Sequence, residues 1–107
     1  MPMITIQYDD GKVSDDEISE LATEIQKIVS KITKIEDVFV YGNSAKVKVK
    51  IAPIEIFVKM SDFKIKDLDA LTAQIKAELI DWKNKTGFRR PINLTVIPMH
   101  WKVEVEI

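Results

Sequence analysis

Pro2 is the residue with the clearest potential for chemistry, because it directly follows Met1 in the opening stretch MPMITIQYDD. Removal of Met1 would turn Pro2 into a free secondary amine, which can act as a general acid or base. An ordinary α-amine has a pKa of about 8, and burial or nearby cations bring that pKa towards neutrality. Such a base suits proton transfer at cellular pH. If Met1 stays attached, the nitrogen belongs to an amide, and Pro2 only leads into a strand.

Two adjacent arginines and a row of lysines could accompany such an amine. Arg89 and Arg90 are the only arginines of the chain and precede the last predicted parallel strand. They could bind a carboxylate, although a solvated loop explains an arginine pair more simply. Lys46, Lys48 and Lys50 alternate along one predicted strand, and Lys59 is near them. Lysines in that arrangement protect an edge strand from aggregation. We prefer this protective role to an anion-binding site.

The composition restricts the chemistry further. The 107 residues fit a single domain over 1–107, and the formal net charge of −1 favours neither nucleic acid nor an anionic membrane as a partner. The chain has no cysteine and one histidine, His100, which leaves little material for a metal site. It also lacks a secretory leader pattern and an apolar stretch of membrane-spanning length. We expect a cytoplasmic protein that uses no cofactor or metal ion.

The first half of the chain has the pattern of a β-α-β unit. β-branched and polar residues alternate over 3–8, which predicts a strand. Ser14 and Glu17 have the spacing of a capping box, which predicts the start of an amphipathic helix of about five to six turns. Strands are predicted over 37–41 and 46–51, and we expect the glycine-containing turn between them to join these two strands as a hairpin.

The second half repeats the pattern. A strand is predicted over 54–60, and a helix with a buried apolar stripe follows and ends at Gly87. The next predicted strand covers 92–97, and Pro98 should break or bend the strand at its end. Apolar and charged residues then alternate over 101–107, which predicts an edge strand.

An offset of fifty residues aligns the two halves in both strand and helix. The coinciding apolar positions are Ile4 and Ile54, Ile6 and Ile56, Ile18 and Leu68, Leu21 and Leu71, Ile25 and Ile75, and Val29 and Leu79. Because parallel crossovers are right-handed, two such units can join in one sheet. We expect an α+β fold with pseudo-repeats over about 1–51 and 52–107. Its four-stranded mixed sheet should carry two helices on one face and short extra strands, with 3–8 and 53–59 as antiparallel neighbours.

The other face of this sheet should carry the alternate apolar side chains of the strands. Monomeric proteins seldom expose an apolar area of that size. We therefore expect other subunits to cover it.

Several of these stretches resemble the tautomerase superfamily, which includes 4-oxalocrotonate tautomerase and macrophage migration inhibitory factor. The resemblance rests on the initial Met1-Pro2, on TKIEDVFVY at the end of the first unit, and on APIEIFVKM at the start of the second. The chain length matches the two-unit members. The resemblance implies that Met1 is removed, that Pro2 is the general acid or base, and that the protein is a homotrimer without a cofactor. The implied substrate is a small carbonyl acid.

The resemblance also implies where a substrate would bind, and the chain departs from the pattern there. Relatives that act on dicarboxylates have an arginine after a glycine in the first loop, where this chain has Gly11-Lys12. Lys12 keeps the positive charge but cannot bind a carboxylate in the bidentate way of an arginine guanidinium. A second arginine of those relatives is replaced by Phe39. The candidate site residues are therefore Pro2 for catalysis and Lys12, Phe39, Arg89 and Arg90 for substrate binding.

Two functions are compatible with these residues. The first is a tautomerase or isomerase that transfers a proton in a small keto or enol acid, with Pro2 as general base. Hydration, dehalogenation and decarboxylation, which relatives perform with the same proline, stay open beside tautomerisation. The second is a catalytically silent oligomeric or ligand-binding module with ferredoxin-like connectivity.

Overall fold

Four strands and two long helices form the part of the chain that the computed structural model describes, residues 2–107. In chain order they are β1 (Met3–Tyr8), α1 (Asp15–Thr33), β2 (Phe39–Ser44), β3 (Ile54–Ser61), a short 3-10 helix (Asp62–Lys64), α2 (Leu68–Thr86) and β4 (Asn93–Met99). Neither long helix contains an apolar stretch that could cross a membrane.

The strands form one mixed sheet in the order β2-β1-β3-β4. β1 is parallel to β2 and antiparallel to β3, and β3 is parallel to β4. Ile6 lies opposite Ile56, and both side chains are fully buried. This topology confirms the α+β fold of two β-α-β units, including the antiparallel contact between their first strands.

Local capping interactions define the helix ends. The Ser14 Oγ accepts a hydrogen bond from the Glu17 backbone N–H at 3.1 Å, and Glu17 Oε1 accepts one from the Ser14 N–H at 3.1 Å. The predicted capping box at the start of α1 is therefore confirmed. Both helices end on a residue in the left-handed region, Lys34 with φ 62° for α1 and Gly87 with φ 74° for α2.

The hydrophobic core lies between the sheet and the two helices. Its buried side chains include Ile4, Ile6, Leu21, Ile25, Val29, Ile54, Ile56, Ile75 and Leu79. Ten of the twelve residues that the fifty-residue offset aligned belong to this core, and Leu71 packs partly buried against it. The exception is Leu68, which is 37% exposed because α2 begins there.

The predicted hairpin is wrong. Gly42 and Ser44, expected in its turn, continue β2 because they pair with Ile6 and Tyr8 of β1. The chain then crosses to β3 through 45–53, and the described residues contain no strand over 46–51. The tail over 101–107 is not a strand either. Pro98 lies inside β4, where it is tolerated because β4 is an edge strand.

The face of the sheet opposite the helices, called here the open face, is mixed in character. Its apolar members are Met3, Phe39, Tyr41, Phe57, Ile97 and Met99, and its polar members include Thr5, Gln7, Glu55, Lys59 and Thr95. The expectation of an apolar face is therefore only partly met. Polar residues occupy about half of these positions, and the apolar ones concentrate near the starts of β1 and β2.

Candidate active site

Pro2 lies directly ahead of β1, at the end of the sheet where β1 and β2 begin and β3 and β4 end. This is called here the Pro2 end. The Pro2 carbonyl oxygen accepts a hydrogen bond from the Phe39 N–H at 3.3 Å. Pro2 precedes Met3, which pairs with Lys59 of β3, and Met60 follows Lys59 in that strand. The Pro2 side chain is fully buried, so the fold encloses the residue that could supply the amine.

Phe39 is the candidate binding residue that the structure places beside Pro2. It pairs with Met3 across β1 and β2, on the open face, and is 45% exposed. Lys59 pairs with Met3 from the other side. Sequence reasoning did not include Lys59 among the site residues, although the predicted antiparallel pairing of 3–8 with 53–59 would have placed it near Pro2.

A cavity of about 420 Å³ opens at the same end of the sheet, next to Met60. Ile32 and Leu71 contribute apolar walls. Lys64 and Lys66 contribute positive charge, and Asp67 contributes a carboxylate that caps α2. Neither lysine forms an ion pair within residues 2–107. A cavity of this size is in the range of small-molecule sites. Sequence reasoning missed both lysines, because the segment that carries them has no recognisable motif.

Lys12, Arg89 and Arg90 lie at the opposite end of the sheet, called here the Tyr8 end. Lys12 follows β1, and the two arginines precede β4, which begins where β1 ends. Strands rise about 3.3 Å per residue, so β1 alone separates the two ends by about 20 Å. Within one chain, the structure therefore does not bring Lys12, Arg89 or Arg90 to Pro2.

Arg90 is already engaged at the Tyr8 end. Its Nε lies 3.1 Å from Glu17 Oε2 in the first turn of α1, and its carbonyl oxygen accepts a hydrogen bond from Lys83 Nζ at 2.7 Å. The Ser14 N–H and then the Arg90 guanidinium hold the pKa of Glu17 below its usual value. Arg89 forms no ion pair in the described part of the chain, so it is the freer of the two arginines.

Lys48 ties the crossing segment to the loop after β1. Its Nζ lies 3.1 Å from Asp9 Oδ1 and also contacts Asp10 Oδ1. Lys48 lowers the pKa of both carboxyl groups, helped at Asp9 by the Gly11 N–H, and the two carboxylates raise the pKa of Lys48. Lys48 is therefore a structural tie at the Tyr8 end.

Comparison with solved structures shows what this architecture is similar to. A 5-carboxymethyl-2-hydroxymuconate isomerase from Deinococcus radiodurans matches with a TM-score of 0.63 at 13% identity, over 95% of this chain and 88% of that one. A fused 4-OT symmetric trimer matches with a TM-score of 0.56 at 14% identity, over 90% and 85%. Macrophage migration inhibitory factor from Giardia lamblia matches with a TM-score of 0.52 at 10% identity, over 89% and 96%.

The chain has the tautomerase fold. The resemblance first drawn from its sequence is thereby confirmed at the level of architecture. No protein-family model and no curated protein matches the sequence.

Proposed function

We propose that this protein is a cofactor-free tautomerase or isomerase of the cytoplasm, which transfers a proton within a small carbonyl acid. The observation that carries the proposal is the position of Pro2, fully buried directly ahead of β1 in a tautomerase fold. Pro2 is the catalytic residue of this proposal, once Met1 has been removed.

The proposed base is the unprotonated secondary amine of Pro2. Burial disfavours the charged form of an amine, so its pKa should be lower than that of an exposed α-amine. The amine takes a proton from the carbon next to the substrate carbonyl, and the electron pair of the broken C–H bond moves to the carbonyl oxygen as an enolate. The protonated amine then returns the proton to another atom of the conjugated system.

The enolate and the substrate carboxylate require positive charge. In this chain Lys59 is at the Pro2 end on the open face, and the cavity lysines Lys64 and Lys66 are at the same end on the helix face. Lys12, Arg89 and Arg90, about 20 Å away along β1, can reach the amine only from another copy of the chain. We therefore include a homotrimer in the proposal, in which a neighbouring subunit supplies Lys12 or the arginine pair.

The decisive experiment compares two forms of the protein that differ only at the proline nitrogen. The first has Met1 removed, as checked by intact mass, and the second carries an uncleaved N-terminal extension that keeps the nitrogen in an amide. We expect the first form to ketonise phenylenolpyruvate and the second to be inactive. Pro53→Ala is the matched control, because Pro53 holds the corresponding place in the second unit with an acylated nitrogen. It should leave the rate within about twofold.

Two results would contradict the proposal. Equal turnover by both forms would show that the Pro2 amine is not the base. Absence of turnover by the processed form across a panel of keto and enol acids would favour the silent oligomeric or ligand-binding module. Retention of Met1 in protein from the native host would favour the same alternative, since Pro2 would then have no basic nitrogen.

A further inference from the structure

A row of polar side chains crosses the open face near the Tyr8 end. Gln7 of β1 pairs with Asn43 of β2 and with Glu55 of β3, and Glu55 pairs in turn with Asn93 of β4. Residues that pair directly across neighbouring strands project to the same face of a sheet. Three side-chain amides and one carboxylate therefore lie side by side across all four strands, and they are called here the polar row.

The packing of the chain does not use the polar row. Within residues 2–107 none of its four side chains takes part in a hydrogen bond. Glu55 is half-buried, and a carboxylate in that position gains from a counter-charge or a donor. Met3, Phe39 and Met99, which could be covered by an apolar partner surface, lie at the Pro2 end instead. The polar row therefore offers its donors and acceptors to a polar ligand.

A cavity of about 310 Å³ adjoins the polar row. Gln7 and Glu55 line it from the sheet, and Lys50, Ile51 and Ala52 line it from the crossing segment, residues 45–53. This volume is at the lower end of the range for small-molecule sites. The cavity can therefore enclose a molecule of a few heavy atoms but not a large cofactor.

Contacts within the chain hold the crossing segment in place as a wall of this cavity. Lys48 contacts Asp9 and Asp10 in the loop after β1, and the Asp9 N–H donates a hydrogen bond to the Pro53 carbonyl oxygen at 3.0 Å. The segment is thus attached near its middle and at its end. Because the wall is held before a ligand arrives, binding does not have to order it.

Lys50 and Glu55 give the cavity one cation and one anion. In the described part of the chain neither residue forms an ion pair, either with the other or with a third group. A ligand between them meets opposite charges from two walls. A dicarboxylate would be repelled by Glu55, and a diamine would be repelled by Lys50. A small molecule that carries both an ammonium group and a carboxylate satisfies both residues.

We propose that this cavity binds a free α-amino acid with a polar side chain. The ammonium group of the ligand donates hydrogen bonds to the Glu55 carboxylate, and the carboxylate of the ligand accepts one from Lys50 Nζ. Gln7, with Asn43 next to it in the polar row, binds the polar side chain. An amide such as that of glutamine matches these two amides, because each has both a donor and an acceptor. The site lies at the opposite end of β1 from Pro2 and depends on neither the proton transfer nor the assembly.

Calorimetric titration with L-glutamine tests the proposal, and two analogues separate the contributions of its charged groups. N-acetyl-L-glutamine lacks the ammonium group, and L-glutaminamide lacks the carboxylate. We expect L-glutamine to bind at millimolar concentration. Each analogue should bind at least about tenfold more weakly, because each has lost a charge-assisted hydrogen bond.

Two substitutions assign each charge of the ligand to its residue. Glu55→Gln should weaken the binding of L-glutamine about tenfold but leave that of the N-acetyl analogue unchanged. Lys50→Gln should likewise weaken L-glutamine and leave L-glutaminamide unchanged. Lys46→Gln is the matched control, because it makes the same change in the crossing segment at a residue outside the cavity lining. It should bind L-glutamine like the unmodified protein, and NMR spectra of the backbone amides verify that each variant is folded.

Three results would overturn the proposal. The first is the absence of binding by L-glutamine and by every other polar amino acid at millimolar concentration. The second is an analogue that binds as tightly as L-glutamine, since the ligand would then not be recognised as a zwitterion. The third is a folded Glu55→Gln or Lys50→Gln variant that binds L-glutamine no more weakly than Lys46→Gln does.

Discussion

Arg90 Nε lies 3.1 Å from Glu17 Oε2 and thereby joins the loop before β4 to the first turn of α1. The two residues are 73 positions apart in the sequence. Glu17 Oε1 also accepts a hydrogen bond from the Ser14 N–H in the capping box. One carboxylate therefore serves both the start of a helix and a contact between the two halves of the chain, which explains the position of Arg90 without a substrate.

Arg90→Gln should raise the pKa of Glu17, because it removes the guanidinium that, together with the Ser14 N–H, holds this pKa below its usual value. A carboxyl group whose pKa is lower in the folded state than in the unfolded state stabilises the fold at pH values above its unfolded-state pKa. This contribution is lost as the pH falls through the folded-state pKa. The variant should therefore lose less stability on acidification below about pH 4.5 than the wild type. An NMR titration of the Glu17 carboxyl group measures the shift.

Arg89→Gln is the control for this experiment, since Arg89 has no ion pair within the described residues. It should leave the Glu17 titration unchanged. An equal shift in both variants would mean that the general positive charge of the loop acts on Glu17, and not the Arg90 contact.

Trp101→Phe should destabilise the fold by about 1–3 kcal/mol, because it leaves the hydroxyl of Ser61 without its donor. Ser61 is only 6% exposed, so water replaces that donor poorly. Urea unfolding at one fixed protein concentration measures the change. In the double variant with Ser61→Ala, the hydroxyl is gone, and the loss should be smaller than the sum of the two single losses. Additive losses would show that Trp101 acts by packing alone.

The two helix ends should respond to substitution in opposite directions. Gly87→Ala should destabilise the protein by about 1–2 kcal/mol, because an added Cβ meets no atom within 4 Å and only the left-handed backbone with φ 74° opposes it. Lys34→Gly should stabilise the protein by up to about 1 kcal/mol, because it removes the steric strain of a side chain on a residue with φ 62°. The greater entropy of glycine in the unfolded chain offsets part of this gain. Urea unfolding tests both variants. Changes of the same sign would exclude backbone conformation as the cause.

Local patterns in the sequence were enough to predict β1, the start of α1 and the end of α2. Alternation, a capping box and a glycine are read from a few neighbouring residues. Prediction from the sequence failed where pairing between strands overrides the local preference of residues for a turn. Gly42 and Ser44 have the character of a turn, yet they pair with Ile6 and Tyr8 and extend β2.

The candidate site was predictable only in part. Pro2 and Phe39 come together because both lie at the start of parallel neighbouring strands, and the β-α-β pattern implies that arrangement. The distance of Lys12 and the arginine pair from Pro2 follows from the direction in which each strand runs. Lys64 and Lys66 could not be found, since the cavity beside them forms only when the end of α1 meets the start of α2.

Phe39 provides the last prediction, which concerns the proposed substrate site. Phe39→Leu keeps the backbone N–H that binds the Pro2 carbonyl oxygen and keeps an apolar side chain, but it removes an aromatic ring from the open face at the Pro2 end. Loss of that contact area should lower kcat/KM for phenylenolpyruvate about tenfold, mainly through a higher KM. The pH at which the rate is half-maximal should stay unchanged, because no charge has been altered.

Tyr41→Leu is the matched control, because Tyr41 lies on the same strand and face but pairs with Thr5, further from Pro2. It should change kcat/KM by less than about twofold. Sedimentation of both variants separates a loss of substrate contact from a loss of assembly, since both side chains belong to the open face. If both variants lose the same amount of kcat/KM while the mass of the assembly stays unchanged, the ring of Phe39 contributes by packing on the open face. A loss confined to Phe39→Leu would place the substrate against the start of β2, within reach of the Pro2 amine.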